Sequence, residues 1–240
     1  MKNSYSRWSV LAVILVMTAC SAGKAGAPSS TDTTVIAAAP TTETPATSVA
    51  TTAAASDSPT VIVPWGGPGP RAHLTLTLPD GWEASDGFVR KGDAEDRNSF
   101  VRLGSSVVAN IYSEPCRDTL LDPPLGPTVD DLVMAFADAW GTGATTPTEA
   151  TLDGYTGKQM ILTVPADVDF GDCVTGRYMA WRDAGGGDRW FQGPGQIQEL
   201  WIVDVDGERL LIEASYFPEM SAENRAELQQ VIDSIQIETE

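Results

Sequence analysis

Over residues 63–240 the sequence predicts an α+β domain: a mostly antiparallel sheet with two packed helices. Three observations lead there. Leu74, Leu76 and Leu78 alternate with His73, Thr75 and Thr77, the period-two pattern of a half-buried strand. Asp206-Gly207 separates two apolar runs, a two-residue hairpin signal. Two stretches, near 129–140 and 222–234, repeat apolar residues at helical spacing behind a capping residue.

The elements follow in chain order. After the strand at 73–78, Ser99 to Tyr112 reads as one or two strands broken near Gly104, where the missing side chain weakens a strand. Helix one spans Val129 to Trp140. Thr128 caps it, Asp130 and Asp131 suit its positive end, and Gly141 stops it. Its apolar stripe is Val129, Leu132, Val133, Phe136 and Trp140. Lys158 to Val164 alternates again, with Met160, Leu162 and Val164 on one face.

The clearest unit is the hairpin Gln196 to Phe217. Counting back from Asp206-Gly207 pairs Asp204 with Arg209, Val203 with Leu210 and Trp201 with Ile212. Opposite charges at 204 and 209 support that register. Trp201, Val203, Leu210, Ile212 and Ala214 share one face, while Ile202 and Leu211 lie on the other, so both faces are at least partly covered. Helix two runs from Ala222 to Ser234 with Ser221 as its cap, and Leu228, Val231, Ile232 and Ile235 at helical spacing.

Residues 1–19 read as a signal peptide. Lys2 and Arg7 precede the apolar run Val10 to Met17, which ends at Thr18-Ala19-Cys20. The run is shorter than the roughly 20 apolar residues that span a bilayer. A permanent anchor helix is the competing reading. Met17-Thr18-Ala19-Cys20 resembles the bacterial lipobox, although Met stands where Leu is usual. That resemblance implies lipidation of Cys20, with palmitate-type chains anchoring the chain to the membrane. Each buried methylene contributes about 0.8 kcal/mol, so two or three chains hold firmly.

Residues 20–62 then form the lipidated Cys and a tether. Ser, Thr, Ala and Pro dominate it, it holds no aromatic residue, and such a segment buries too little apolar surface to order itself. A coil of this length reaches about 35 Å. Its Ser/Thr/Pro content suits O-glycosylation or a plain spacer equally well.

The Leu-Pro-Asp-Gly-Trp segment at 78–82, the mid-domain helix and the hairpin-then-helix ending resemble secreted actinobacterial lipoproteins of unknown function. Those domains are similar to the Mog1/PsbP-like α/β/α sandwich. The resemblance implies a non-catalytic binding or assembly role.

With Cys20 lipidated, Cys116 and Cys173 remain, and an even pair in an exported chain reads as a disulfide rather than two free thiols. His73 is the only histidine and sits on the polar face of its strand. One histidine excludes His-rich zinc sites and weakens any Ser-His-Asp arrangement. No G-x-S-x-G, P-loop or dinucleotide fingerprint occurs. Asp167, Asp169 and Asp172 offer hard oxygens for Ca²⁺, but their spacing departs from the EF-hand, and a solvated acidic loop is the plainer reading. No metal or cofactor is expected. The net charge of −18, from 33 acidic and 15 basic residues, argues against nucleic acid and against anionic headgroups.

One segment stands out for contact. Arg177, Tyr178, Trp181, Arg182, Arg189 and Trp190 gather aromatic and basic residues around Gly185 to Gly187. Trp, Tyr and Arg are enriched in interface hot spots. The competing reading is a strand from Tyr178 to Arg182 with core aromatics and a glycine hairpin tip. The expected function is therefore a non-enzymatic module on the extracytoplasmic face of the cell membrane. It binds a small ligand or an envelope protein. A carboxylate-based envelope hydrolase and a lipid carrier are the alternatives. A cleft holding two carboxylates would mark the first. An apolar cavity between sheet and helix would mark the second.

Overall fold

A computed structural model describes residues 60–64, 72–85 and 87–239. The signal peptide, Cys20 and the tether up to residue 59 lie outside the described residues. The first described strand starts at Thr60, ahead of the boundary drawn at residue 63.

Among the described residues fourteen strands and two α-helices follow one another. They are β1 (Thr60–Pro64), β2 (Ala72–Thr77), β3 (Glu83–Ser85), β4 (Phe88–Lys91), β5 (Val101–Ser106), β6 (Val108–Glu114), β7 (Thr119–Leu120), α1 (Val129–Trp140), β8 (Thr148–Leu152), β9 (Tyr155–Thr163), β10 (Met179–Asp183), β11 (Asp188–Trp190), β12 (Ile197–Val205), β13 (Glu208–Tyr216), α2 (Ala222–Asp233) and β14 (Gln236–Thr239). The central sheet has seven strands in the order β3-β4-β5-β13-β12-β9-β8, all antiparallel. A three-stranded sheet, β1-β2-β14, and a four-stranded sheet, β11-β10-β6-β7, complete the set.

The α+β class is as predicted, and the central hairpin β12–β13 keeps the predicted register throughout. Asp206 and Gly207 take φ of 54° and 87°, the two positive values that a type I′ turn requires. Asp204 does face Arg209, but the two do not pair. The Asp204 carboxylate accepts the Gly207 amide at 2.8 Å and so serves the turn. Arg209 reaches away toward the start of α1.

Alternation along each strand sends residues to two separate cores. On one face Leu103, Trp201, Val203, Leu210, Ile212 and Ala214 pack against Leu74 and Leu76 of β2 and Leu228, Val231 and Ile232 of α2. On the other, Met160, Leu162, Leu200, Ile202 and Leu211 meet Leu132, Val133 and Phe136 of α1, with Ile111 of β6 and Trp181 of β10. Each such side chain contributes about 1.5–3 kcal/mol on full burial. Each outer layer thus mixes one helix with one small sheet, where an α/β/α sandwich has helices alone.

The helix ends are local chemistry. Thr128 accepts the Asp131 amide at 3.1 Å while Asp131 accepts the Thr128 amide at 2.9 Å, a reciprocal capping box. Ser221 accepts the Asn224 amide at 3.1 Å at the start of α2. Past α2 the chain continues as β14, beyond the helix with which the predicted fold ends, and pairs with β2. The break expected near Gly104 falls at Val107 instead. Gly104 lies inside β5 between Phe88 and Glu213, and an added Cβ there would come 3.2 Å from the Phe88 Cβ. Glycine is there for a close packing contact rather than as a breaker.

Candidate binding surface

The segment singled out for contact folds as the β10–β11 hairpin. Gly186, at φ 84°, forms its tip, with the Asp183 amide bonded to the Gly187 carbonyl at 2.7 Å. Trp181 is fully buried and meets Phe136 edge-on, with ring centroids 6.0 Å apart. Its indole N–H donates to Asp183 Oδ1 at 3.1 Å. Trp181 is therefore corrected from a contact residue to a core residue, because β10 runs inside its sheet and faces α1. Tyr178 is half-buried, stacked on Phe170 and set edgewise to Trp140 and Phe191. Burial raises its hydroxyl pKa.

The arginines are largely engaged within the fold. Arg182 holds Asp188 with two bonds, 2.8 and 3.2 Å, and donates to the Tyr112 hydroxyl at 3.1 Å. Those bonds from Arg182, followed by the one from Tyr112, hold the Asp188 carboxyl below its usual pKa. Burial and the neighbouring Asp188 push Tyr112 up to about 12. Arg189 donates to Asp183 at 3.0 Å, yet burial still leaves the Asp183 pKa raised. What remains at the surface is Arg177, lying 4.0 Å over the ring of exposed Trp190. An exposed cation–π pair of this kind is worth about 0.5–1 kcal/mol.

A Cys116–Cys173 disulfide, with Cα atoms 4.5 Å apart, ties the turn after β6 to the segment that leads into β10. The Val174 amide adds a 3.0 Å bond to the Cys116 carbonyl. In the acidic loop Asp169 accepts the Gly171 amide at 2.8 Å, a turn-closing role. Among the described residues no three His, Cys, Asp or Glu side chains are grouped to hold a metal. His73 bonds Glu238 at 3.0 Å and thereby links β2 to β14.

A feature that sequence reasoning missed lies along α1. Asp130, Met134 and Asp138 form one row on its outer side, and Asp131, Ala135 and Ala139 the next, at the i, i+4, i+8 spacing of one helix face. Across from them stands the 121–126 loop with Leu121, Pro124 and Leu125. Between them runs an open groove of about 610 Å³. Beyond Ala139 it adjoins a second pocket of about 440 Å³, walled by Trp140, Tyr178 and Pro218. The signal was faint, because the groove needs the face of α1 that carries no apolar stripe and a loop without regular structure.

On the opposite side of the central sheet a polar cleft of about 480 Å³ holds Glu199, Asp153 and Asp233. Burial raises the Glu199 pKa. Asp153 accepts the Ile237 amide at 2.7 Å and Asp233 accepts from Gln229 at 2.8 Å, so both are occupied in holding the fold. Among the described residues no helix is long and apolar enough to cross a membrane.

No family model matches the sequence, and no curated protein matches it. Four chains of solved structures match. One is the crystal structure of LpqN, involved in cell envelope biogenesis of Mycobacterium tuberculosis. It shares 11% identity with this chain and superposes with a TM-score of 0.38, covering 75% of this chain and 92% of its own. A likeness that loose transfers neither a site nor a partner.

Proposed function

We propose that this protein is a lipoprotein tethered to the extracytoplasmic face of the cell membrane, and that its folded domain is a non-catalytic binding module. The anchor rests on the charged start, the apolar run and the Met17-Thr18-Ala19-Cys20 ending. The Cys116–Cys173 bond fits an oxidising compartment outside the cytoplasm.

One observation carries the binding reading. Among the described residues, the large apolar side chains left exposed, Met134 at 58%, Val174 at 74% and Trp190 at 37%, all belong to the outer layer of α1, the disulfide segment and the β10–β11 hairpin. Apolar residues scattered singly over a surface mean little, but Met134 also lines the open groove along α1, and an exposed apolar side chain in a groove marks a contact face. The lipid-carrier reading finds no support there, since Leu132, Phe136, Met160, Leu162, Leu200 and Ile202 fill the space between α1 and the sheet.

The anchor is tested by feeding cells labelled palmitate. Label on the wild-type chain that disappears in Cys20→Ala supports it, and an unlabelled wild-type chain overturns it. The contact face is tested in cells with a photo-crosslinking amino acid at Met134 and, as control, at exposed Glu223 on α2. A defined adduct from position 134 alone supports the reading. Equal products from both positions, or none from either, sink it.

A hydrolase reading has one observation in its favour, the raised pKa of Glu199 in a cleft, since a general acid must hold its proton near neutral pH. It lacks a second free carboxylate, because Asp153 and Asp233 are bonded within the fold.

A further inference from the structure

We infer that the groove along α1 receives a basic, amphipathic peptide segment of a partner protein, an inference that rests on the binding-module reading and specifies its ligand. The groove is built in layers. Its floor is shallow side chain, Ala135 and Ala139, which leaves room for an incoming apolar group. Leu121 and Leu125 form one apolar bank, and Met134 stands out on the other, 58% exposed. Methionine is flexible and polarisable, so it adapts to the shape that docks against it.

The charges choose the occupant. Asp130 and Asp138 flank Met134 one turn to either side, and among the described residues no Lys or Arg lines the groove. Lys158 approaches Asp130 only to 4.0 Å and lies closer to Glu149. Asp138 is exposed and enters none of the ion pairs among the described residues. The row from Asp130 to Asp138 spans about 12 Å, the length of two helical turns. The complement is a segment with an apolar ridge, flanked by Lys or Arg about two turns apart, in the helix-in-groove mode. A second copy of this chain is a poor occupant, because its net charge of −18 repels an acidic rim. An anionic lipid is repelled for the same reason.

The test uses the full lipidated chain in phosphatidylcholine vesicles, with empty vesicles as blank. The probe is a fluorescein-labelled peptide of Leu and Lys at helical periodicity, compared with the same peptide carrying Glu for Lys. The Leu/Lys peptide should sediment with chain-bearing vesicles and the Glu form should not. Ala135→Trp fills the groove and should weaken binding about tenfold. Asp138→Lys, at an exposed position outside the capping box, should weaken it about fivefold with an unchanged melting temperature. Equal binding of both peptides, no binding of either, or binding untouched by both substitutions overturns the inference. The two levels fail separately. A specific adduct from position 134 with no Leu/Lys binding removes the peptide chemistry and leaves the module. Absence of any position-134 adduct removes the module itself.

Discussion

Arg209 Nη1 donates to the Thr128 carbonyl at 3.0 Å, joining the middle of the central sheet to the cap of α1. The same guanidinium reaches the Gly126 and Val108 carbonyls, both at 2.8 Å. Burial lowers its pKa, although the guanidinium stays charged. One side chain of β13 therefore fixes the loop that forms one bank of the groove.

Arg209→Met should cost about 3 kcal/mol in urea unfolding, since three carbonyls lose a charged donor. Arg209→Lys should recover part of that, because an ammonium cannot reproduce the planar fork. Amide exchange at 126–131 should speed up in both variants. A methionine variant as stable as wild type, with unchanged exchange at these amides, would show that water replaces the guanidinium at no cost.

The two tryptophans of the β10–β11 hairpin should separate cleanly. Trp181→Ala removes a buried indole packed on Phe136 and should cost about 3–5 kcal/mol. Trp190→Ala removes its pairing with Arg177 and the packing of a ring that is 37% exposed, and should cost about 1–2 kcal/mol. Thermal melts of both variants decide it. A large loss from Trp190→Ala would mean that its ring is a core element, and the contact face would shrink to Met134 and Val174.

What could be read from the sequence was chemistry local in the chain. Thr128 and Ser221 caps set both helix starts, because a cap is satisfied within three residues. The Asp206-Gly207 turn set a nine-pair register, because the side-chain period of two propagates from one fixed pair. The same Asp-Gly signal at Asp153-Gly154, with φ of 47° and 83°, went unread. Its first strand, β8, is mostly exposed at the sheet edge and shows no apolar alternation. Charge was read less well than shape. Asp204 and Arg209 face each other, yet each finds better backbone partners. The contact segment misled for a related reason: a run of aromatic and basic residues looks alike in an interface and in a core strand. Trp181 is core because β10 lies between β6 and β11 and faces α1, a fact of long-range topology.

Removing the disulfide should destabilise the domain broadly. The bond links residues 57 apart in sequence. In the chain-entropy model a loop of that length restricts the unfolded state by about 4 kcal/mol. A Cys116→Ser/Cys173→Ser double variant should therefore unfold at clearly lower urea. Peptide mapping of the native chain without reductant should recover the two cysteines as one linked pair. Free thiols at both positions would remove the bond and its stabilisation together.

The Glu199 cleft predicts a pH effect whose sign opposes that of the partly buried ion pairs. Burial raises the Glu199 pKa above its usual value, against the opposing bond from Gln159 at 2.7 Å and the weaker pulls of Tyr216 and Arg225. The folded state thus keeps this proton to higher pH than the unfolded chain does. The stability it contributes is complete below the unfolded value, near 4.3. It is lost as pH rises through the folded value. Asp188 and Glu227 act in the other direction. Their lowered pKa values, held down by Arg182 and by Lys91 with Trp82, contribute stability that is lost as pH falls. The whole-protein profile sums both kinds, so a single curve is ambiguous and a difference is needed. Glu199→Gln retains an oxygen for Gln159 and removes the buried charge. Relative to wild type it should be more stable at neutral pH and show no advantage at pH below the unfolded value. The stability difference should open between the two pKa values. Parallel urea melts across pH 3–8 would measure it. A constant difference at every pH would mean that Glu199 titrates alike in both states and that the cleft leaves its carboxylate well hydrated.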